Sequence, residues 1–214
     1  MELRGEKKAI FQSLSGKKNV LEIGCGQGDF AIALSEKNPE MKITGVDMDE
    51  GYIRVAKKSD TKNRVNFVLT SLERFASKEK FDVIIASEVI EHINNIDDFM
   101  KSIQGHSKRG TILIMSSDNA HYIGFMTNAI LSFFTKKFNL YIWKDQDRYY
   151  PWNQHYYNWT INTLGTVCAC YGFNPYKFRY TNHGLILRCK DIIFDAITFF
   201  LPFFRRKIVI WSRK

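Results

Sequence analysis

The sequence has few cysteines, no secretory signal and no apolar run long enough to cross a bilayer. Four of its 214 residues are cysteines, which form neither a CxxC pair nor an evenly spaced framework. This usage excludes a disulfide scaffold and favours reduced thiols in the cytoplasm. The N-terminus lacks the apolar core of a signal peptide. The longest apolar stretch, residues 192–204, is interrupted by Asp195 and Pro202 and is shorter than the roughly 20 residues of a membrane-spanning helix.

Acidic residues are also in deficit, with 22 Asp and Glu against 31 Lys and Arg, for a formal net charge of +9. Such an excess favours anionic partners, including nucleic acid, phosphorylated metabolites and acidic membrane surfaces. It is equally compatible with a basic solvated surface that binds nothing. We therefore predict a cytoplasmic protein that is soluble or bound peripherally at the inner face of the membrane.

The first 120 residues alternate short apolar runs with amphipathic segments, which predicts βα units around a parallel sheet. The apolar runs are short and β-branched, as strands buried on both faces must be. We expect strands at residues 19–23, 41–46, 65–69, 81–86 and 111–115, with helices over 29–38, 52–59 and 96–104. The pattern predicts the α/β class with a Rossmann-like, doubly wound sheet.

Beyond Ser116 the sequence becomes rich in aromatic residues, which indicates a helical insertion over 119–160 that covers the carboxyl edge of the sheet. A helix over 160–171, a strand over 175–180, a helical segment over 192–204 and a closing strand over 207–212 follow. They complete a mostly parallel sheet of seven strands. Because repeats and interdomain linkers are absent, we predict one domain over 1–214, with its core at 17–118 and C-terminal elements at 161–214.

A glycine loop follows the first predicted strand, in the stretch from Glu22 to Asp29. Its glycines, Gly24, Gly26 and Gly28, allow backbone torsions forbidden to other residues and let a ligand approach the main chain. Their spacing is G-x-G-x-G and not the G-x-G-x-x-G of dinucleotide binders. The carboxylate of Glu22 beside this loop suits a cationic ligand and opposes a pyrophosphate, which disfavours an NAD-dependent dehydrogenase.

The second predicted strand ends in Asp47, 23 residues after Gly24. A carboxylate near this spacing accepts hydrogen bonds from both hydroxyls of a ribose. The neighbouring Met48 is suited to packing on an adenine face.

Together these segments resemble motifs I and II of the class I S-adenosylmethionine-dependent methyltransferases. The resemblance continues through Lys80-Phe-Asp-Val-Ile-Ile-Ala86 and covers roughly residues 17–118. It departs from the family at Ser71, where many members carry an Asp that contacts adenine. The resemblance implies S-adenosylmethionine as cofactor and a binding site made of Glu22, Gly24, Cys25, Gly26, Gly28, Asp47, Met48, Ser71, Leu72 and Ser87.

After the fourth strand, Glu88, Glu91 and His92 form an E-x-x-E-H pattern whose members share one face of a helical turn. The stretch resembles those of ubiquinone-pathway O-methyltransferases and of small-RNA 2′-O-methyltransferases. Further on, His155-Tyr-Tyr-Asn-Trp-Thr160 is similar to the H-x-F-x-W-T segment of the RNA enzymes. The resemblance implies Mg²⁺ or another divalent cation held by Glu88, Glu91, His92 and His155. A metal-free site, in which Glu91, His92 and His155 are catalytic residues that orient substrate or transfer protons, fits the pattern as well.

The acceptor is less well specified by the sequence. Residues 116–138 resemble methyltransferases associated with cell-envelope polysaccharides, and this resemblance names no acceptor. The apolar segment 192–204 and the cations that follow it suit a core helix, or contact with an anionic membrane and a lipid-linked substrate. Aromatic residues beside cations also occur in RNA-binding surfaces, although the chain contains no recognised RNA-binding module.

We therefore predict a methyltransferase that acts on oxygen of a small-molecule, glycan or lipid-linked acceptor. The alternatives are an RNA 2′-O-methyltransferase and a non-catalytic Rossmann protein that binds cofactor or membrane.

Overall fold

The structure, a computed structural model, describes residues 5–122, 133–134, 155–181 and 201–214. Within these residues seven strands form one sheet: β1 (Asn19–Ile23), β2 (Lys42–Asp47), β3 (Val65–Leu69), β4 (Phe81–Ser87), β5 (Ser107–Asp118), β6 (Asn174–Thr181) and β7 (Lys207–Arg213). Their order is β3-β2-β1-β4-β5-β7-β6. The neighbours among β1 to β5 are parallel, and β7 runs antiparallel to both β5 and β6. The predicted doubly wound, mostly parallel sheet of seven strands is confirmed.

The described helices are α1 (Gly5–Phe11), α2 (Asp29–Lys37), α3 (Glu50–Ser59), α4 (Ile96–His106) and α5 (Ile161–Cys170). Several begin at side-chain caps that satisfy free N–H groups of the first turn. Asp49 accepts from Tyr52 N–H before α3, and Thr160 forms a capping box before α5. The described residues also include three short 3-10 turns, at Leu72–Arg74, Ile90–His92 and Pro202–Phe204. None of these helices is long and apolar enough to cross a membrane.

The core lies on both faces of the sheet, as expected for a sheet covered by helices on each side. On one face α1, α2 and α3 pack apolar side chains such as Ile10 and Phe30 against Val83 and Trp211. On the opposite face α4 and α5 pack against alternate residues of the same strands. This arrangement explains why the central strands are apolar throughout.

The structure also revises some predicted bounds. The fifth strand extends over Ser107–Asp118 and not over 111–115, because its ends also pair with neighbouring strands, at Phe81 on β4 and at Lys207 on β7. Most of the predicted insertion over 119–160, and residues 192–200 of the predicted helical segment, lie outside the described residues. The described end of that segment is a 3-10 turn that begins at Pro202. The subdivision of the domain remains a prediction.

Candidate active site

The loop between β1 and α2 passes through three glycines with positive φ angles: Gly24 at 66°, Gly26 at 53° and Gly28 at 80°. A Cβ atom at Gly24 would lie 2.5 Å from Cγ2 of Val89, and one at Gly28 would lie 2.6 Å from the Phe67 ring. Packing therefore requires both outer glycines. A Cβ atom at Gly26 would meet nothing within 4 Å, so the middle of the loop borders open space.

Asp47, at the end of β2, fixes this loop through its carboxylate. One oxygen accepts the Gly26 N–H at 2.8 Å, and the other accepts the Asp49 N–H at 2.9 Å. Each oxygen retains a further lone pair for another donor. The side chain is half-buried beside the open face of the loop, and the neighbouring Met48 is 59% exposed. The structure thus places Asp47 and Met48 at the loop, as a ribose and adenine site requires.

Glu22 is buried on β1, immediately before the loop. Its Oε2 finds no hydrogen-bond donor in the described part of the chain. Burial raises its pKa to about 8, although the Lys7 cation acts in the opposite direction. A buried carboxylate with an unpaired oxygen gains strongly from a cationic donor. Glu22 is therefore suited to an ammonium group.

The remaining predicted cofactor residues surround the same edge of the sheet. Cys25 is buried within the loop, and burial raises the pKa of its thiol. Ser71 and Leu72 follow β3, whose end is joined to Asp47 by a hydrogen bond from Thr70 N–H to the Asp47 carbonyl. Ser87 ends β4, where its hydroxyl donates to Glu6 at 2.9 Å. Ser87 thus faces the N-terminal helix α1.

Glu91, His92 and His155 come together beyond the end of β4. Each offers one potential ligand atom, and these atoms lie within 4.8 Å of one another. The two imidazoles meet edge to face, with their centroids 4.7 Å apart. The Tyr156 N–H donates to the Glu91 carbonyl at 2.7 Å, which ties the distant segment around His155 to the turn at Ile90–His92.

Glu91 is 1% exposed, and its two carboxylate oxygens lack hydrogen-bond partners among the residues that the structure describes. Burial raises its pKa to about 8, and the negative charges of Asp118 and Glu6 act in the same direction. Burial also lowers the pKa of His155, with the Arg206 cation adding to the effect. Burial thus favours the protonated form of the Glu91 carboxyl and the neutral form of the His155 imidazole, a pair able to donate and accept protons.

Glu88 lies outside this cluster, contrary to the shared helical face that its spacing predicts. Its backbone has a φ of 58°, so the chain turns sharply after β4 and the 3-10 turn starts only later. Its carboxylate instead contacts the ammonium of Lys207. The structure therefore groups three of the four predicted metal ligands and gives the fourth a buried ionic partner.

Four further polar residues at this edge were missed by sequence analysis: Glu6, Ser116, Asp118 and Lys207. All four are buried. Asp118 lies 2.7 Å from Lys207 Nζ and 3.6 Å from His155 Nδ1. Asp118 is the last residue of β5, and substrate loops follow the strand ends in such folds, so its position alone was a usable signal. Glu6 and Lys207 offered no comparable signal, because they reach the edge from the two ends of the chain.

Comparison with known proteins decides the family. A family model described as "Methyltransferase domain" matches residues 14–164, which is more than half of the chain. The chain belongs to the class I S-adenosylmethionine-dependent methyltransferase family. The matched region contains the glycine loop, Asp47, the turn with Glu91 and His92, and the segment around His155.

Part of this chain is similar in sequence to curated methyltransferases. A malonyl-[acyl-carrier protein] O-methyltransferase from Priestia megaterium is 32% identical over 98 residues, which are 46% of this chain and 36% of that protein. A ubiquinone biosynthesis O-methyltransferase from Rickettsia felis is 31% identical over 105 residues, 48% of this chain and 42% of that protein. The chain thus aligns with less than half the length of either relative.

Among solved structures, the N-methyltransferase NodS from Bradyrhizobium japonicum WM9, in complex with S-adenosyl-L-homocysteine, has a similar fold. The TM-score is 0.62 with 15% sequence identity, over 98% of this chain and 86% of that chain. At this identity the likeness concerns the fold alone, and it confirms the Rossmann-like methyltransferase architecture.

Proposed function

We propose that this methyltransferase transfers the methyl group of S-adenosylmethionine to an oxygen atom of a small-molecule, glycan or lipid-linked acceptor. The observation that carries the proposal is the meeting of two features at one edge of the sheet. A glycine loop with open space at Gly26 lies between two carboxylates, and the cluster of Glu91, His92 and His155 follows the neighbouring strand β4.

The first feature fits the cofactor by the chemistry of its donors and acceptors. Glu22 supplies an unpaired buried oxygen for the ammonium group, and Asp47 supplies acceptors for the ribose hydroxyls. Gly26 leaves its side of the backbone open to close approach. We expect Ser71, Leu72 and Met48 to border the adenine. The cofactor supplies an activated methyl group, so the protein's task is alignment and proton removal.

The second feature fits an acceptor hydroxyl, which must lose a proton during methyl transfer. The neutral His155 imidazole can accept that proton, with His92 as the alternative base, and the buried Glu91 carboxyl can orient the neighbouring imidazole. The two curated relatives described above are named as O-methyltransferases, which favours oxygen as the methylated atom. In the part of the chain that the structure describes, Cys25, Cys168 and Cys170 are free thiols, which suits the cytoplasmic location that we propose.

The deciding experiment titrates S-adenosylmethionine into the protein by calorimetry and then measures S-adenosylhomocysteine release with candidate acceptors. Acceptors from a cell extract are labelled from a methyl-tagged cofactor and identified by mass spectrometry. We expect binding and acceptor-dependent release. Binding without any release would support the non-catalytic alternative, whereas absence of binding would overturn the proposal. Label in RNA, with steep salt dependence of binding, would favour the RNA enzyme.

We also propose a divalent cation at Glu91, His92 and His155 as a second candidate property of this site. Two imidazoles and one carboxylate are a common ligand set for such ions, and the unpaired oxygens of Glu91 fit one. When bound, a cation would lower the pKa of an acceptor hydroxyl.

Titration of the full chain with Mn²⁺ tests the cation site directly, without any acceptor. We expect one ion to bind and His155→Ala to abolish binding, while the control His121→Ala leaves it intact, since His121 stacks on Phe203 outside the cluster. Equal Mn²⁺ affinity in wild type and His155→Ala would contradict the site and leave the metal-free mechanism.

A further inference from the structure

An ionic group links β5 and β7 beneath Glu91, His92 and His155, the catalytic cluster of the proposed function. Asp118, the last residue of β5, is the register partner of Lys207, the first residue of β7. Both side chains are 4% exposed, and Lys207 Nζ lies 2.7 Å from Asp118 Oδ1. Opposite charges directly across an antiparallel pair favour that register. The sheet itself therefore fixes the Asp118 carboxylate.

The second oxygen of Asp118 faces the catalytic cluster. Its Oδ2 lies 3.6 Å from His155 Nδ1, slightly longer than a hydrogen bond, and catalytic hydrogen bonds tighten when substrate binds. The segment that carries His155 is also held to the end of β5. Asn119 forms a bridge with Trp159, and the Ala120 N–H donates to the Trp159 carbonyl at 2.8 Å.

We propose that Asp118 is a positioning residue, which holds the His155 imidazole by its Nδ1 atom and is itself held by Lys207. The inference rests on the proposed role of His155 at the acceptor. A carboxylate at Nδ1 selects the tautomer with a proton on that nitrogen. In that tautomer Nε2 carries the lone pair, which is the form that accepts a proton or binds a cation, so the same positioning serves either version of the site.

Lys207 has two anionic contacts in this arrangement, since Glu88 lies against it as well as Asp118. Glu88 follows the end of β4, and its N–H donates to the Ser116 carbonyl of β5 at 3.1 Å. The ammonium therefore joins the ends of β4, β5 and β7 under the cluster. This role explains why a lysine is buried here. It also explains why Glu88, which the sequence predicts as a metal ligand, contacts Lys207 instead.

The test compares Asp118→Asn with wild type, and uses Asp82→Asn as the matched control. Asp82 lies on β4 and, like Asp118, has a lysine partner, since its Oδ1 lies 2.6 Å from Lys108 Nζ and its Oδ2 accepts hydrogen bonds from the Lys18 and Asn19 N–H groups. It lies at the opposite end of β4 from the site. Both variants keep the shape of the side chain and remove one negative charge.

Nitrogen chemical shifts of the His155 side chain report its tautomer without any acceptor, with His155→Ala identifying the resonances. We expect Nδ1 to carry the proton in wild type and in Asp82→Asn, and Asp118→Asn to move it towards Nε2. Turnover of Asp118→Asn should fall by about 10- to 100-fold with unchanged affinity for S-adenosylmethionine. An unchanged tautomer, or wild-type turnover, in Asp118→Asn would overturn the proposal.

Lys207 is tested by Lys207→Arg, which keeps the cation, and Lys207→Met, which removes it. We expect Lys207→Arg to retain the wild-type tautomer and most of the turnover, and Lys207→Met to behave like Asp118→Asn. If Lys207→Met does not fold, the tautomer in Lys207→Arg and Asp118→Asn still decides. A wild-type protein that binds no S-adenosylmethionine would refute the proposed function, whereas the tautomer measurement tests the positioning of His155 by itself.

Discussion

Replacing Gly26 by alanine should separate the conformational role of a loop glycine from its role at the cofactor. Gly26 has a φ of 53°, and a Cβ atom there meets no atom of the protein within 4 Å. Gly16 provides a matched control, because its φ is 73° and its surroundings are equally open. Both substitutions therefore introduce the same left-handed alanine without a steric clash.

The expected loss of stability is similar for the two variants. An L-residue in the left-handed region costs about 1–2 kcal/mol, partly offset by about 0.4–1 kcal/mol from the restricted unfolded chain. A net loss of about 1 kcal/mol lowers the melting temperature of a chain of this size by about 2–4 °C. The Gly26→Ala variant can keep the hydrogen bond to Asp47, because its donor is the backbone N–H at position 26.

The two variants should differ in binding. Gly26→Ala places a methyl group in the open space beside Asp47. It should weaken the binding of S-adenosylmethionine at least tenfold, which corresponds to about 1.4 kcal/mol of binding free energy. Gly16→Ala should bind as wild type. Calorimetric titration gives the affinities, and thermal unfolding gives the stabilities. Wild-type affinity in a folded Gly26→Ala variant would refute the assignment of this space to the cofactor.

Three further predictions concern the carboxylates and the imidazole of the site. Asp47→Ala should weaken cofactor binding, measured by calorimetry, by about 1–3 kcal/mol, and an unchanged affinity would exclude Asp47 from the site. Because the folded pKa of Glu22 is raised to about 8, its contribution to stability is present at low pH and is lost as pH rises towards 8. Between pH 6 and 8 the unfolding free energy of the wild type without ligand should therefore fall by about 2 kcal/mol more than that of Glu22→Gln. Denaturant titrations that give equal decreases for the two proteins would contradict this. His92→Ala should abolish methyl transfer while cofactor affinity stays within about twofold, so near-normal turnover would exclude His92 from catalysis.

Much of the fold could be predicted from the sequence, because parallel strands covered on both faces are apolar throughout. β1 and β3 have the bounds that the apolar pattern predicts, and the other strands differ mainly at their ends. Those differences arise from pairing. The fifth strand continues to Asp118 because β7 supplies hydrogen-bond partners there, and such a partner is remote in sequence.

The glycine loop and Asp47 were also predictable, since their chemistry depends on local backbone conformation and on one carboxylate at a strand end. The sequence by itself determined the class of fold, the family and the side of the sheet that bears the site. It determined these because the fold class and the site edge follow from short-range patterns of burial and glycine spacing, and the family follows from the resemblance of those motifs.

Only the tertiary structure decided which charged groups meet. The sequence predicts that Glu88 shares a helical face with Glu91. The left-handed backbone of Glu88 after β4 instead directs its carboxylate to Lys207. Glu6 and Lys207 reach the same edge from opposite ends of the chain, and Asp118 meets His155 although the two residues are 37 positions apart in the sequence. Contacts of this kind depend on strand order and register, which place residues side by side whatever their distance along the chain.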